Sequence, residues 1–165
     1  MESAVVYYSA TGCTKKIAEA IQGGLGEGTP LATMDEHPKL DDRDVVFVGF
    51  PINAFGPPQI VKDYLATDAA GKCIALFITH ASPDDNPILQ DWLKTCKEAA
   101  AATDIVGVFH CQGQLTEPVK QHMLHSDDPH MVAWAQGDDS QGKPDEAAVE
   151  KARAFARTIV SPTGA

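Results

Sequence analysis

The stretch "YYSATGCTKKIA" (7–18) gathers Ser9, Thr11 and Thr14 around Gly12, between an apolar run and a helix-like pattern. Three hydroxyls can donate to an anion, and a glycine lets the backbone wrap closely around it. A helix that starts directly after such a turn adds unpaired N–H groups and partial positive charge, the elements of a phosphate seat. Ser and Thr are also good helix caps, so a plain capped helix start reads from the same residues. Lys15 and Lys16 follow, but the G-x-x-x-x-G-K-[ST] pattern is absent. That argues against a nucleoside triphosphatase and toward a cofactor carrying a single phosphate.

Other residues offer less. The four cysteines, at 13, 73, 96 and 111, form no C-x-x-C pair for zinc or redox chemistry. Cys73 and Cys96 fall on apolar patterns and read as buried thiols. "CQG" (111–113) invites a nucleophile, but no base is identifiable, and no catalytic residue is assigned. His80 ends an apolar run, where it could tune a ligand's charge near neutral pH or simply pack. His110, inside another such run, reads as structural. His122, His125 and His130, with Asp127 and Asp128 among them, match no standard metal spacing, so a solvated loop is expected and no metal.

These residues need elements to hold them. "AVVYY" (4–8) reads as a buried strand, and Ile17, Ile21 and Leu25 then recur on one helix face, with Ala18 beside them. "GGLGEG" (23–28) follows a helix rather than a strand, so it reads as a helix stop and not a dinucleotide fingerprint. A weak strand is expected at 30–34 and strong ones at 44–50, 73–80 and 104–111. Helices are expected at 57–66, 84–102 and 145–160. Their inward stripes include Ile60, Val61, Tyr64 and Leu65, then Ile88, Leu89, Trp92, Leu93 and Cys96. Alternating strands and helices predict an α/β protein, a parallel sheet with helices on both faces, in one domain spanning 1–165. The polar stretch 112–144 breaks the alternation and is too long for a routine loop; a short helix is expected near 116–124. "DPHMVAW" (128–134) has the apolar character to dock over a ligand edge.

Ser9-Ala10-Thr11-Gly12-Cys13-Thr14 after a first strand resembles the flavodoxin phosphate loop, [ST]-x-T-G-x-T. "VVFVGFPINAFGPP" (45–58), "CIALFITHASPDD" (73–85) and "VFHCQGQL" (108–115) are similar to the short flavodoxin-family proteins of anaerobic bacteria, some of which work beside tetrapyrrole reductases. The resemblance implies a three-layer αβα sandwich, five parallel strands in the order 2-1-3-4-5, and non-covalent FMN. Its phosphate would lie on residues 9–14. Its ring would lie between Pro51, Ile52, Asn53, Ala54, Phe55 and Gly56 on one side and Thr79, His80 and Ala81 on the other. These loops lack the Trp and Tyr that stack on flavin in long-studied flavodoxins; Phe50 reads as core. Gly56, the one glycine between Gly49 and Gly71, is suited to take positive φ if a peptide of this loop rotates its carbonyl toward the flavin N5 edge on one-electron reduction; a simple turn ahead of Pro57 and Pro58 reads from the same residue.

Formal charge is −10, from 13 basic and 23 acidic residues. That disfavours nucleic acid and anionic membranes, which need a basic face, and suits a basic redox partner. No apolar run approaches the ~20 residues needed to cross a bilayer. The opening "MESAVVYYSA" has no basic flank, so no secretory leader is expected and a cytoplasmic protein is. The expected function is a low-potential electron carrier. The alternatives are a small FMN-dependent reductase of a quinone or other planar substrate, a partner of a tetrapyrrole reductase, and an FMN-free interaction domain on the same fold.

Overall fold

The computed structural model describes residues 1–161. Five strands alternate with helices along the chain. They are β1 (Ser3–Tyr7), β2 (Leu31–Thr33), β3 (Val45–Pro51), β4 (Cys73–His80) and β5 (Asp104–Gln112). The helices are α1 (Cys13–Leu25), α2 (Gln59–Ala66), α3 (Leu89–Ala99), α4 (Glu117–Leu124), α5 (Pro129–Gln136) and α6 (Glu146–Val160). All strand pairs are parallel, in the order β2-β1-β3-β4-β5, the flavodoxin-like order the phosphate-loop resemblance implies. Strand order reverses between β1 and β3, so a crevice opens at their carboxyl ends.

Period-two alternation divides the core between the two sheet faces. Val5, Tyr7, Phe47, Ala75 and Phe77 pack under Ile17, Ala18 and Ile21 of α1 and Val149, Ala152 and Ala156 of α6. Their neighbours Ala4, Val6, Val48, Phe50, Leu76 and Ile78 pack under Val61 and Leu65 of α2 and Leu89, Trp92 and Leu93 of α3. Apolar side chains on both faces explain why the central strands read as nearly unbroken apolar runs. Burying each large side chain stabilises the fold by roughly 1.5–3 kcal/mol. Phe50 is wholly buried, as its place at the strand end implied.

Three helix readings change. Gly23 and Gly24 lie inside α1, and Gly26, at φ 122°, is the stop. A Cβ on Gly24 would come within 2.7 Å of the Arg153 carbonyl, so this glycine lets α1 and α6 approach. Ile60 is exposed because α2 presents Val61, Tyr64 and Leu65 instead. Helix α3 begins only at Leu89: Asn86 closes a turn through its carboxamide to the Ile88 N–H, leaving Ile88 exposed.

The stretch 112–144 carries two helices, α4 and α5. Met123 of α4 and Ala135 of α5 bury a small core of their own with Leu115. Trp134 of α5 stacks on Trp92 of α3 at 5.9 Å, which fixes this pair of helices to the main body. The expected helix near 116–124 is α4; α5 was not anticipated, because Met131 to Ala135 are all apolar and show no one-sided helical stripe.

Candidate functional site

The loop after β1 sits at the crevice. Gly12 takes φ 97°, a conformation glycine adopts without strain, and α1 begins at the next residue. The Ser9 hydroxyl accepts from the N–H groups of Gly12 (3.1 Å) and Lys15 (3.3 Å) and so shapes the turn from within. Among the described residues, the N–H groups of Ala10, Thr11, Cys13 and Thr14 have no acceptor. Four open donors at a helix start are a seat for an anion, reinforced by the helix dipole.

The Thr14 side chain, unlike its N–H, is not open. It is buried, and its hydroxyl shares a 2.8 Å hydrogen bond with that of Thr79 at the end of β4. It ties the loop to the sheet, and of the three hydroxyls only that of Thr11 lies on the cleft.

That cleft, about 320 Å³, is lined by Thr11, Gly12, Cys13 and Lys16 on one side and Gln114, Thr116, Lys143 and Pro144 on the other. Thr11, Gln114 and Thr116 also line the adjoining groove, which runs past Pro51, Ile52 and Asn53 after β3 and Thr79, His80 and Ala81 after β4. One continuous depression therefore leads from the helix start across the carboxyl ends of the central strands. Its far wall, Gly113 to Thr116 and Val119, went unassigned in the sequence; the length of 112–144 was the one signal for it. Gln112 holds that wall in place, donating to the Ala81 carbonyl (3.2 Å) and to Asp139 (2.8 Å).

The loop after β3 differs from expectation. Asn53 and Gly56 exchange both backbone hydrogen bonds, at 2.8 and 3.2 Å, closing a two-residue turn. Its central residues, Ala54 at φ 48° and Phe55 at φ 69°, carry positive φ in this conformation, and Gly56 does not. Two positive φ values in succession match the right-handed twist of such a tight pair. The Gly56 carbonyl already accepts from Asn53. The Phe55 ring lies against Trp92 at 5.3 Å and lines a separate apolar cavity of about 520 Å³ with Ile88, Met131 and Trp134. Ser9, Ala10, Thr14, Ala54, Phe55 and Gly56 thus frame the groove rather than line it.

His80 is buried, and both ring nitrogens are engaged: Nδ1 with the Ser82 carbonyl (2.8 Å) and Nε2 with His110 Nδ1 (3.1 Å). Burial, then the neighbouring His110, pushes its pKa down to about 4. The ring is therefore neutral at pH 7 and has no nitrogen left for a ligand in the groove. Cys111 lies within β5 and is buried; burial pushes its thiol up to about 12. A thiol held protonated is no nucleophile.

The chain belongs to the flavodoxin-domain family, whose model matches residues 4–157. It is 27% identical, over 97% of both chains, to the flavodoxin-like domain-containing protein BilS of Clostridioides difficile. Among solved structures it resembles oxidised flavodoxin 2 from Bacillus cereus, with a TM-score of 0.63, 18% identity, and 96% of this chain and 97% of that one covered. It also resembles general stress protein 14 of Treponema denticola, solved in complex with FMN, with a TM-score of 0.55, 13% identity, and 96% and 99% covered. Among the described residues no helix is long and apolar enough to cross a membrane.

Proposed function

We propose that this protein binds FMN non-covalently and carries electrons at low potential between protein partners in the cytoplasm. The observation that carries the reading is the set of open N–H groups at residues 10, 11, 13 and 14, placed where α1 starts and the groove begins. The donor set suits a phosphate monoester: backbone N–H groups and the Thr11 hydroxyl, with positive charge nearby from Lys16, which donates to the Pro144 carbonyl, and Lys143, which is paired with Asp145. The groove beyond is framed by Pro51 to Asn53 and by Thr79 to Ala81, where a planar ring would lie. When bound, the flavin supplies the redox chemistry; the protein supplies binding, orientation and charge. The relatives' flavodoxin and FMN descriptions support this reading. The apolar cavity at Phe55 and Trp92 shares no lining residue with the groove, which supports a carrier over an enzyme stacking a second planar substrate on the ring.

The test is the affinity of purified apoprotein for FMN and riboflavin, followed by quenching of flavin fluorescence. FMN should bind far more tightly. Thr11→Ala should weaken FMN by roughly 1.5–3 kcal/mol, the worth of a hydrogen bond to a charged group, and leave riboflavin almost unchanged. Equal affinity for the two flavins overturns the reading.

A further inference from the structure

The register of β4 on β5 sets Ile78 opposite His110 and His80 opposite Gln112, so His80 and His110 are diagonal neighbours across the pair. The loop after β4 then returns Asp84 to the same spot. Its Oδ1 lies 3.6 Å from His80 Nε2 and 3.8 Å from His110 Nδ1, and the two nitrogens are 3.1 Å apart. We propose that His80, His110 and Asp84 form a binding site for one divalent transition-metal ion of the Zn²⁺ type.

Geometry and tautomer support the assignment. Zn²⁺ ligands at ordinary bond lengths and tetrahedral angles are about 3.3 Å apart, and these three atoms already span that value. A carbonyl oxygen only accepts, so His80 Nδ1 carries the ring proton toward Ser82. Its Nε2 therefore presents a lone pair into the cluster, with the ring orientation held from behind as in established metal sites. His110 Nδ1 must then donate to that lone pair. Metal binding replaces this donation: the His110 proton moves through solvent to Nε2, and Nδ1 joins the ion with no net proton release.

Two imidazoles and one carboxylate select borderline transition ions over Mg²⁺ or Ca²⁺, which take oxygen ligands. Among the described residues Asp84 has no ion-pair partner beyond these imidazoles, and the nearby Lys143 is held by Asp145 at 2.6 Å. A cavity of about 180 Å³, lined by Asp84, His110, Cys111, Lys143 and Asp145, leaves room for a fourth ligand such as water. The ion would pin the loop after β4 to the edge strand, next to His80 and Ala81 at the groove. The proposal is independent of the flavin reading.

The experiment is calorimetric titration of chelator-treated, full-length protein with Zn²⁺ at pH 7.5, paired with ¹⁵N imidazole spectra. One Zn²⁺ per chain should bind. His110 should change from the Nδ1–H to the Nε2–H tautomer, while the signals of His122 and His125 stay fixed. His110 is partly exposed and the Asp84 side chain largely so, and His110→Gln and Asp84→Ala should therefore fold; circular dichroism checks this. Each should weaken Zn²⁺ by about 10-fold or more, since losing even a group behind a ligand costs that much. His122→Gln should bind as the wild type does. The absence of saturable binding overturns the proposal. So does binding that survives both His110→Gln and Asp84→Ala, or an unchanged His110 tautomer.

Discussion

At the residue scale, local setting decides what each polar side chain can do. Ser9, Thr11 and Thr14 look equivalent in sequence, yet one shapes the turn, one lies on the cleft and one bolts the loop to β4. Thr14→Val should therefore loosen the loop through loss of the Thr79 partner, leaving a buried hydroxyl unpaired at a cost of about 1–3 kcal/mol. Urea unfolding checks it: a midpoint equal to the wild type would remove Thr14 from that role. The cysteines divide in the same way. Burial raises the thiols of Cys96 and Cys111 to about 12, so both stay protonated at pH 8. Cys13 is half-buried on the cleft. Iodoacetamide at pH 8 should label Cys13 of the folded protein first, and Cys96 and Cys111 only on unfolding. FMN should slow the labelling of Cys13. Mass spectrometry of digests reads both, and early labelling of Cys111 would contradict the structure.

At the scale of elements, close approach and turn geometry carry the site. Helices α1 and α6 meet where Gly24 has no side chain, and the obstacle a Cβ would meet is backbone, which cannot swing aside. Gly24→Ala should separate the helices and cost about 1–3 kcal/mol, the usual penalty for overpacking. The turn at 53–56 makes the opposite case. Ala54 holds positive φ at a cost of roughly 1 kcal/mol, so Ala54→Gly should leave stability unchanged or raise it by a few tenths to about 1 kcal/mol. Gly56, at a φ open to any residue, should accept alanine with a small shift of Thr95, whose Cγ2 lies 3.3 Å from the added carbon. Thermal melts of the three variants give the ranking, and a strong loss in Gly56→Ala would contradict the room this turn leaves at Gly56.

At the scale of the whole molecule, charge is the lever. A net charge of −10 on a chain of 165 residues sets up a negative field that attracts basic partners from beyond contact distance. If the redox partner docks on this surface, electron transfer from a reductase should slow as salt rises from low to physiological strength, because the Debye length falls to ~8 Å. Stopped-flow rates across that range decide it. A salt-independent rate would point to an apolar docking face, for which the rim around Phe55 and Ile88 is the natural place.

The β-branched runs at β1, β3, β4 and β5, the four-residue repeat of Ile17 and Ile21, and the hydroxyl-rich turn before α1 are local patterns. Strand, helix and anion-seat readings follow from neighbours a few residues apart, and the alternation of elements leads from there to a parallel sheet covered on both faces. The helix start that opens the groove was therefore legible. The wall at 113–119 was not, because nothing near those residues reveals that Gln112 is held by Ala81 and Asp139. The positive φ of Ala54 and Phe55 was equally hidden, since it follows from Asn53 and Gly56 pairing across the turn and not from residue preference. The stacking of Trp134 on Trp92 and the meeting of His80, His110 and Asp84 required sheet register and helix docking. Such contacts join residues distant in the chain, and only packing in three dimensions selects them from the many pairs a sequence allows.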